Sequence, residues 1–318
     1  MKRLFLLFPL IFCLSSCWDY NEPSAQNYVL GLGVDYEDNK FNLSIETIKI
    51  TGEPTSLSAA EGVIIESEGA TISDAVSNAI TKAGKKLYWG HTELVILSET
   101  VASDHLDTVC DLISRSSDIY SNVNLLVSKD VTAKEIFNAK TPQSGMASTH
   151  IANIFKNEDS SHRFICCELW QIRRDFPYAL VPVIHLEDYP VVDGSAVFHN
   201  MDLVGYLNGK ETQMFSLVEN LASGGKLPDI TIDNIHLSVQ VLDIKKQDRK
   251  LNVTVILSNS SAPFDTINPK NRKKLEAEVC TLLYREINSL VTKPFGNPLS
   301  KNRYEVQVTI ESSGLIKR

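Results

Sequence analysis

No stretch of this chain is apolar for long enough to cross a bilayer as a helix. The run Leu4 to Leu14 is eleven residues, where a spanning helix needs about 20. Cysteine pairs at metal-knuckle spacing are missing too. The six cysteines, Cys13, Cys17, Cys110, Cys166, Cys167 and Cys280, form no Cys-x-x-Cys and have no histidine ligand pattern beside them, which argues against a zinc site. Basic residues are outnumbered, 31 against 39 acidic, for a net charge of -8. That balance leaves no nucleic-acid footprint and little attraction to an anionic leaflet. Reacting constellations are also lacking: no Gly-x-Ser-x-Gly elbow, no His-Glu-x-x-His and no phosphate loop. Gly31-Leu32-Gly33 has no third glycine, and His91-Thr92-Glu93 is half of a deaminase pattern without its Pro-Cys-x-x-Cys half. The chain is therefore expected to be no enzyme and to hold no cofactor or metal.

What is present begins at the amino terminus. Lys2 and Arg3 precede the apolar run, and Leu14-Ser15-Ser16-Cys17 closes it. A basic start, an apolar core and small residues at a cleavage point make a secretory signal. Leu14, Ser15 and Ser16 before a cysteine resemble the lipobox, in which Cys17 receives a diacylglyceryl thioether and becomes the first mature residue. The expected division starts with a signal over residues 1–16, leaving about 300 residues, enough for two or three domains with cores. Several acyl chains hold a protein durably at a membrane where one does not. The expected state is thus anchored rather than spanning. Among the remaining thiols, Cys110, Cys166, Cys167 and Cys280, free and mostly buried sulfurs are expected, and a disulfide stays open because spacing cannot choose partners.

Along the chain, Tyr28–Asp35 and Phe41–Ile50 read as a hairpin, with Asp35, Glu37 and Asn39 in or near its solvated turn. A strand over Gly62–Glu68 leads to a helix from Thr71 that stops at Gly84. Strand Leu94–Leu97, one helix over Glu99–Ser114 and strand Val123–Val127 follow, then a capping box at Thr132 and Glu135. Helical pieces are expected at Ala147–Phe155 and Ile165–Arg173. Val181–Leu186 reads as a strand, and Glu187-Asp188-Tyr189-Pro190 as a domain boundary. Beyond it come a hairpin (Val191–His199, Leu203–Leu207), a helix (Glu211–Glu219) and a turn at Ser223-Gly224-Gly225. The last third is mostly antiparallel in pattern, with strands Ile235–Ile244 and Leu251–Ser258, a long helix after Asn268-Pro269, and a final strand Tyr304–Ile310. The fold class is mixed α/β (α+β), with mixed and antiparallel sheets covered by helices. Domains are expected at 17–190 and 191–318.

These stretches, taken in order, resemble the Ger(x)C spore germination lipoproteins, the C subunits of germinant receptors. The resemblance is carried by Cys17-Trp18-Asp19, Val29 to Asp35, Glu68-Gly69 with its helix, Lys86-Leu87-Tyr88-Trp89-Gly90-His91, Gly194-Ser195-Ala196-Val197-Phe198, and Leu203 to Leu207 with Glu211-Thr212. It implies three sheet-containing domains and a place on the outer face of the spore inner membrane. The implied partners are a multi-spanning A subunit and a membrane B subunit, and the implied role is the response to nutrient germinants. It implies no catalytic residue. One departure is the long helix, which Leu290 to Gly296 stops earlier than in the family. Tyr88 and Trp89 are candidate exposed contact rings. The rival from another class is a solute-binding lipoprotein of a transporter, which would want regular strand-helix alternation around a cleft; an envelope hydrolase is the third.

Overall fold

The computed structural model describes residues 26–49, 61–115, 119–142, 145–157, 162–172, 178–219, 225–232, 235–247, 250–259, 269–291 and 304–310. Strands β1 (Gln26–Glu37) and β2 (Lys40–Lys49) form the first hairpin, and β3 (Glu61–Gly69) pairs antiparallel with β2. The hairpin turns on Asp38 and Asn39, with φ of 51° and 60°. Both sit in the left-handed region that a two-residue turn of this hand demands and that Asp and Asn tolerate. Helix α1 (Ile72–Ala83) opens where the Thr71 side chain accepts from the Asp74 N–H and closes on Gly84 at φ 65°.

After α1 come β4 (Lys86–Tyr88), β5 (Leu94–Ser98), α2 (Glu99–Asp104), α3 (Leu106–Arg115) and β6 (Asn124–Ser128). Then follow α4 (Ala133–Asn138), α5 (Ala147–Phe155), β7 (Tyr178–Leu186), β8 (Pro190–His199) and β9 (Asp202–Leu207). They build one mixed sheet in the order β3-β2-β1-β5-β6-β7-β8-β9, with β4 beside the start of β1. The neighbours β1, β5, β6 and β7 run parallel, so their amino-terminal ends share one edge of the sheet.

Alternation along these strands feeds two cores. Leu32 and Val34, Val95 and Leu97, and Leu125 and Val127 pack with Ala75 and Ala79 of α1 and Val109 and Ile113 of α3. Leu94, Ile96 and Leu126 point the other way, under Ile136 and Phe137 of α4 and Ile151 of α5. A sheet covered on both faces explains why β5 and β6 read as unbroken apolar runs. On the second face α4 and α5 lie almost on the backbone of β1: a Cβ on Gly31 would stand 2.3 Å from Ser148 Oγ and 2.8 Å from Phe137 Cε1.

A second sheet, β10 (Gly225–Ile232), β11 (Ile235–Gln247), β12 (Lys250–Asn259) and β13 (Glu305–Ile310), follows helix α6 (Gly209–Glu219). Helix α7 (Pro269–Val291) carries the chain from β12 to β13. Its Leu275, Val279, Leu283 and Ile287 cover Val239, Val241, Val253 and Val255, and Val197 and Leu207 of the first sheet join the same core.

Several expectations need correction. The helix expected over Glu99–Ser114 is two, broken at His105, whose ring packs on Tyr36 and Phe41 with centroids 4.1 and 5.2 Å away. Of the helix expected over Ile165–Arg173, the described residues 165–172 turn only at Leu169–Ile172, as a short 3-10 helix. Strand β10 is not among the expected elements; Pro228-Asp229 interrupts its pattern. Its pairing shifts between Leu227 and Ile230, where a proline that cannot donate is tolerated on an edge strand. In the second sheet, β10–β11 and β11–β12 pair antiparallel in keeping with the pattern of the last third, and the final pair, β12 with β13, is parallel. No correction attaches to the boundary expected at 187–190, which lies in the turn between β7 and β8, strands that pair antiparallel. Asn268 and the turn residues Ser223-Gly224 lie outside the described residues.

Candidate functional site

Cys17 and its recognition residues Leu14, Ser15 and Ser16 lie outside the described residues, as do Trp18 and Asp19. The first described residue, Gln26, opens β1. Beside that opening lies the Lys86–His91 segment. Within β4 only Leu87 is buried, and a 3-10 turn over Trp89–His91 then swings Trp89 inward. Trp89 is 7% exposed in the main core, so it is no surface contact; Tyr88, at 38%, is exposed as expected. The rings of Tyr28, Tyr88 and His91 stand together, with centroids 5.6 Å (Tyr28–Tyr88), 5.4 Å (Tyr28–His91) and 5.5 Å (Tyr88–His91) apart. Gly90 permits this, because a Cβ there would meet Tyr88 Oη at 2.9 Å.

Two buried carboxylates escaped the reading of the sequence. Asp35, placed there in a solvated turn, is 3% exposed, and Glu46 is 2% exposed. Asp35 accepts from the N–H groups of Ala133 (2.8 Å) and Lys134 (3.0 Å), the first turn of α4. Glu46 accepts from those of Ala147 (2.9 Å) and Ser148 (2.8 Å), the first turn of α5. Both come from the β1–β2 hairpin, so one hairpin clamps two helices about 100 residues away. Helix N-termini present orphan donors and a positive dipole end, which such carboxylates satisfy. One signal for this was legible: Met146, which precedes α5, has no side-chain acceptor, so α5 needs one from elsewhere. Burial outweighs these hydrogen bonds and raises both carboxyls above their ordinary range.

The four described cysteines are free. Burial pushes the Cys167 thiol up to about 12, with Cys110 and Glu168 adding to it, and the Cys110 thiol up to about 11, with Asp107 adding to it. Such sulfurs are poor nucleophiles. A groove of about 440 Å³ opens over β2 and β3 between Asp35, Asn42, Ser44 and Glu66. Two of its lysines are in ion pairs, Lys40 with Glu68 at 2.9 Å and Lys134 with Glu66 at 2.7 Å, and Lys82 donates to the Glu66 carbonyl at 2.8 Å. A second, about 640 Å³, lies between Lys129, Asp130, His185, Tyr206 and Glu211. There Lys129 Nζ sits 4.7 Å from the Tyr206 ring centroid, and Tyr206 donates to Glu99 at 2.8 Å. Among the described residues no cluster of His, Cys, Asp and Glu is placed to hold a metal ion, and no helix is long and apolar enough to cross a membrane.

Comparison with known proteins adds to this geometry. The profile of a family described as spore germination protein N-terminal domain matches residues 19–186. A second, described as spore germination B3/GerAC-like, C-terminal, matches 193–295. Spore germination protein B3 of Bacillus subtilis is 22% identical over 263 residues, 79% of this chain and 68% of that protein. Spore germination protein KC of the same organism is 26% identical over 140 residues, 42% of this chain and 34% of its own. The crystal structure of the GerBC protein superposes with a TM-score of 0.50 at 15% identity, over 92% of this chain and 99% of that one. At that identity the likeness is one of fold.

Proposed function

The chain belongs to the GerAC-like family of spore germination proteins, and on that footing we propose that it is the lipid-anchored C subunit of a nutrient germinant receptor. It works without catalysis, through contacts with the A and B membrane subunits at the outer face of the spore inner membrane. The observation that carries this reading is the succession, in one chain, of a lipobox ending in Cys17 and both halves of the family. Residues 17–190 and 191–318 are the two mature parts, the second keyed to the first through the β7–β8 hairpin. Anchoring confines the protein to a thin shell at the membrane, which raises its effective concentration against membrane partners.

The test is Cys17→Ala in spores. The expected result is protein leaving the membrane fraction, with slower germination on nutrients and an unchanged response to non-nutrient triggers. Retention in the membrane fraction with normal nutrient germination would overturn the proposal.

A further inference from the structure

Resting on the anchored reading, we propose that the sheet edge formed by the amino-terminal ends of β1, β5 and β6 is the face that lies against the bilayer's headgroup zone. Two independent observations meet on that edge. The first is reach. From Cys17 to Gln26 is nine residues, which span at most about 30 Å when fully extended. Strand β1 itself has twelve residues, about 40 Å of rise. Were the opposite edge, with the Asp38-Asn39 turn, set on the membrane, Gln26 would stand farther from the lipid than the tether can stretch.

The second observation is chemical. Tyr88, Tyr120 and Trp170 are 38%, 63% and 41% exposed. All three precede or flank the first residues of these strands: Tyr88 beside the start of β1, Tyr120 just before β6, and Trp170 bonded through its backbone N–H to the carbonyl of Ser121 at 3.1 Å. Tyr28 and His91 join Tyr88 there. Rings with one apolar body and one polar tip settle at the membrane–water boundary. Lys85 and Lys86 are exposed on the same edge, with Glu93 close by. The opposite edge carries the exposed acids Glu37, Asp38, Glu187 and Asp188, which an anionic leaflet repels, and its exposed lysines Lys40 and Lys134 are already paired with Glu68 and Glu66. Reach therefore excludes one orientation, and the rings and charges select among the rest.

The experiment uses the full lipidated chain, carrying Trp18→Phe to remove the indole nearest the anchor, in vesicles of phosphatidylethanolamine and phosphatidylglycerol with a headgroup-spin-labelled lipid as quencher. A comparison variant adds Trp170→Phe and Tyr189→Trp, moving the probe to the opposite edge at similar exposure, 43% against 41%. Trp89 is buried in both. Strong quenching in the first protein and its loss in the second is the expected result. Equal quenching in the two, or quenching only of the probe at 189, would overturn the orientation while leaving the anchor standing. Protein that fails to float with the vesicles would overturn both. Quenching at 170 that disappears only when the membrane subunits are co-reconstituted would assign the edge to a protein partner and overturn the proposal as well.

Discussion

Replacing Glu46 by Ala should be among the most damaging changes in the first sheet. Its carboxylate holds the Ala147 and Ser148 N–H groups at 2.9 and 2.8 Å, in a site where the residue is 2% exposed. Truncation leaves both donors buried without that acceptor, at about 1–3 kcal/mol each. Relief of the desolvated charge and water entering the space return part of this, for a net loss of about 2–4 kcal/mol. For a domain of this size that lowers the melting temperature by about 5–15 °C. Glu46→Gln keeps one acceptor and sheds the charge, so its loss should be less than half as large. The pH dependence follows from the raised folded value. The folded carboxyl holds its proton more tightly than the unfolded one, so its contribution is complete below the unfolded value near 4.5 and is lost as pH rises through the folded value. Wild type should show that slope, and Glu46→Gln should show a shallower one, keeping only the share of Asp35, whose carboxyl is raised in the same direction. Thermal melts followed by circular dichroism across pH 4 to 8, with hydrogen exchange at Ala147 and Ser148, check this. A Glu46→Ala protein that melts with wild type, or Gln as harmful as Ala, would refute the clamp.

Gly31→Ala should destabilise by about 1–3 kcal/mol through overpacking against Ser148 and Phe137, seen as a shift in urea midpoint with unchanged slope. Trp89→Ala should cost about 3–5 kcal/mol, as removal of a core ring does, whereas Tyr88→Ala, which loses only ring contacts at the surface, should cost about 1 kcal/mol. Equal losses would contradict their opposite burial. Cys110 and Cys167, held at about 11 and about 12, should resist maleimide at neutral pH in the folded protein and react fully once it is unfolded in guanidinium, counted by mass spectrometry.

Much of the fold was legible because local rules and tertiary packing agree. Thr71 with Gly84, and Thr132 with Glu135, bracket their helices by side chain–backbone bonds only a few residues long, so sequence spacing suffices to find them. The runs Leu94–Leu97 and Leu125–Val127 announce strands buried on both faces. Misreadings fall where a distant partner decides. His105 breaks a helix because the rings of Tyr36 and Phe41 await it.

The sequence by itself determined the strand and helix periods and membership of a family, since each is written in neighbouring residues or in motifs taken in order. Only the tertiary structure decided that Asp35 and Glu46 are buried helix clamps, that Trp89 turns inward while Tyr88 stays out, and that rings from three separate segments gather on the edge where β1 begins. Those outcomes depend on which backbone groups lie across the sheet, and burial in three dimensions, unlike a period along the chain, has no local signature.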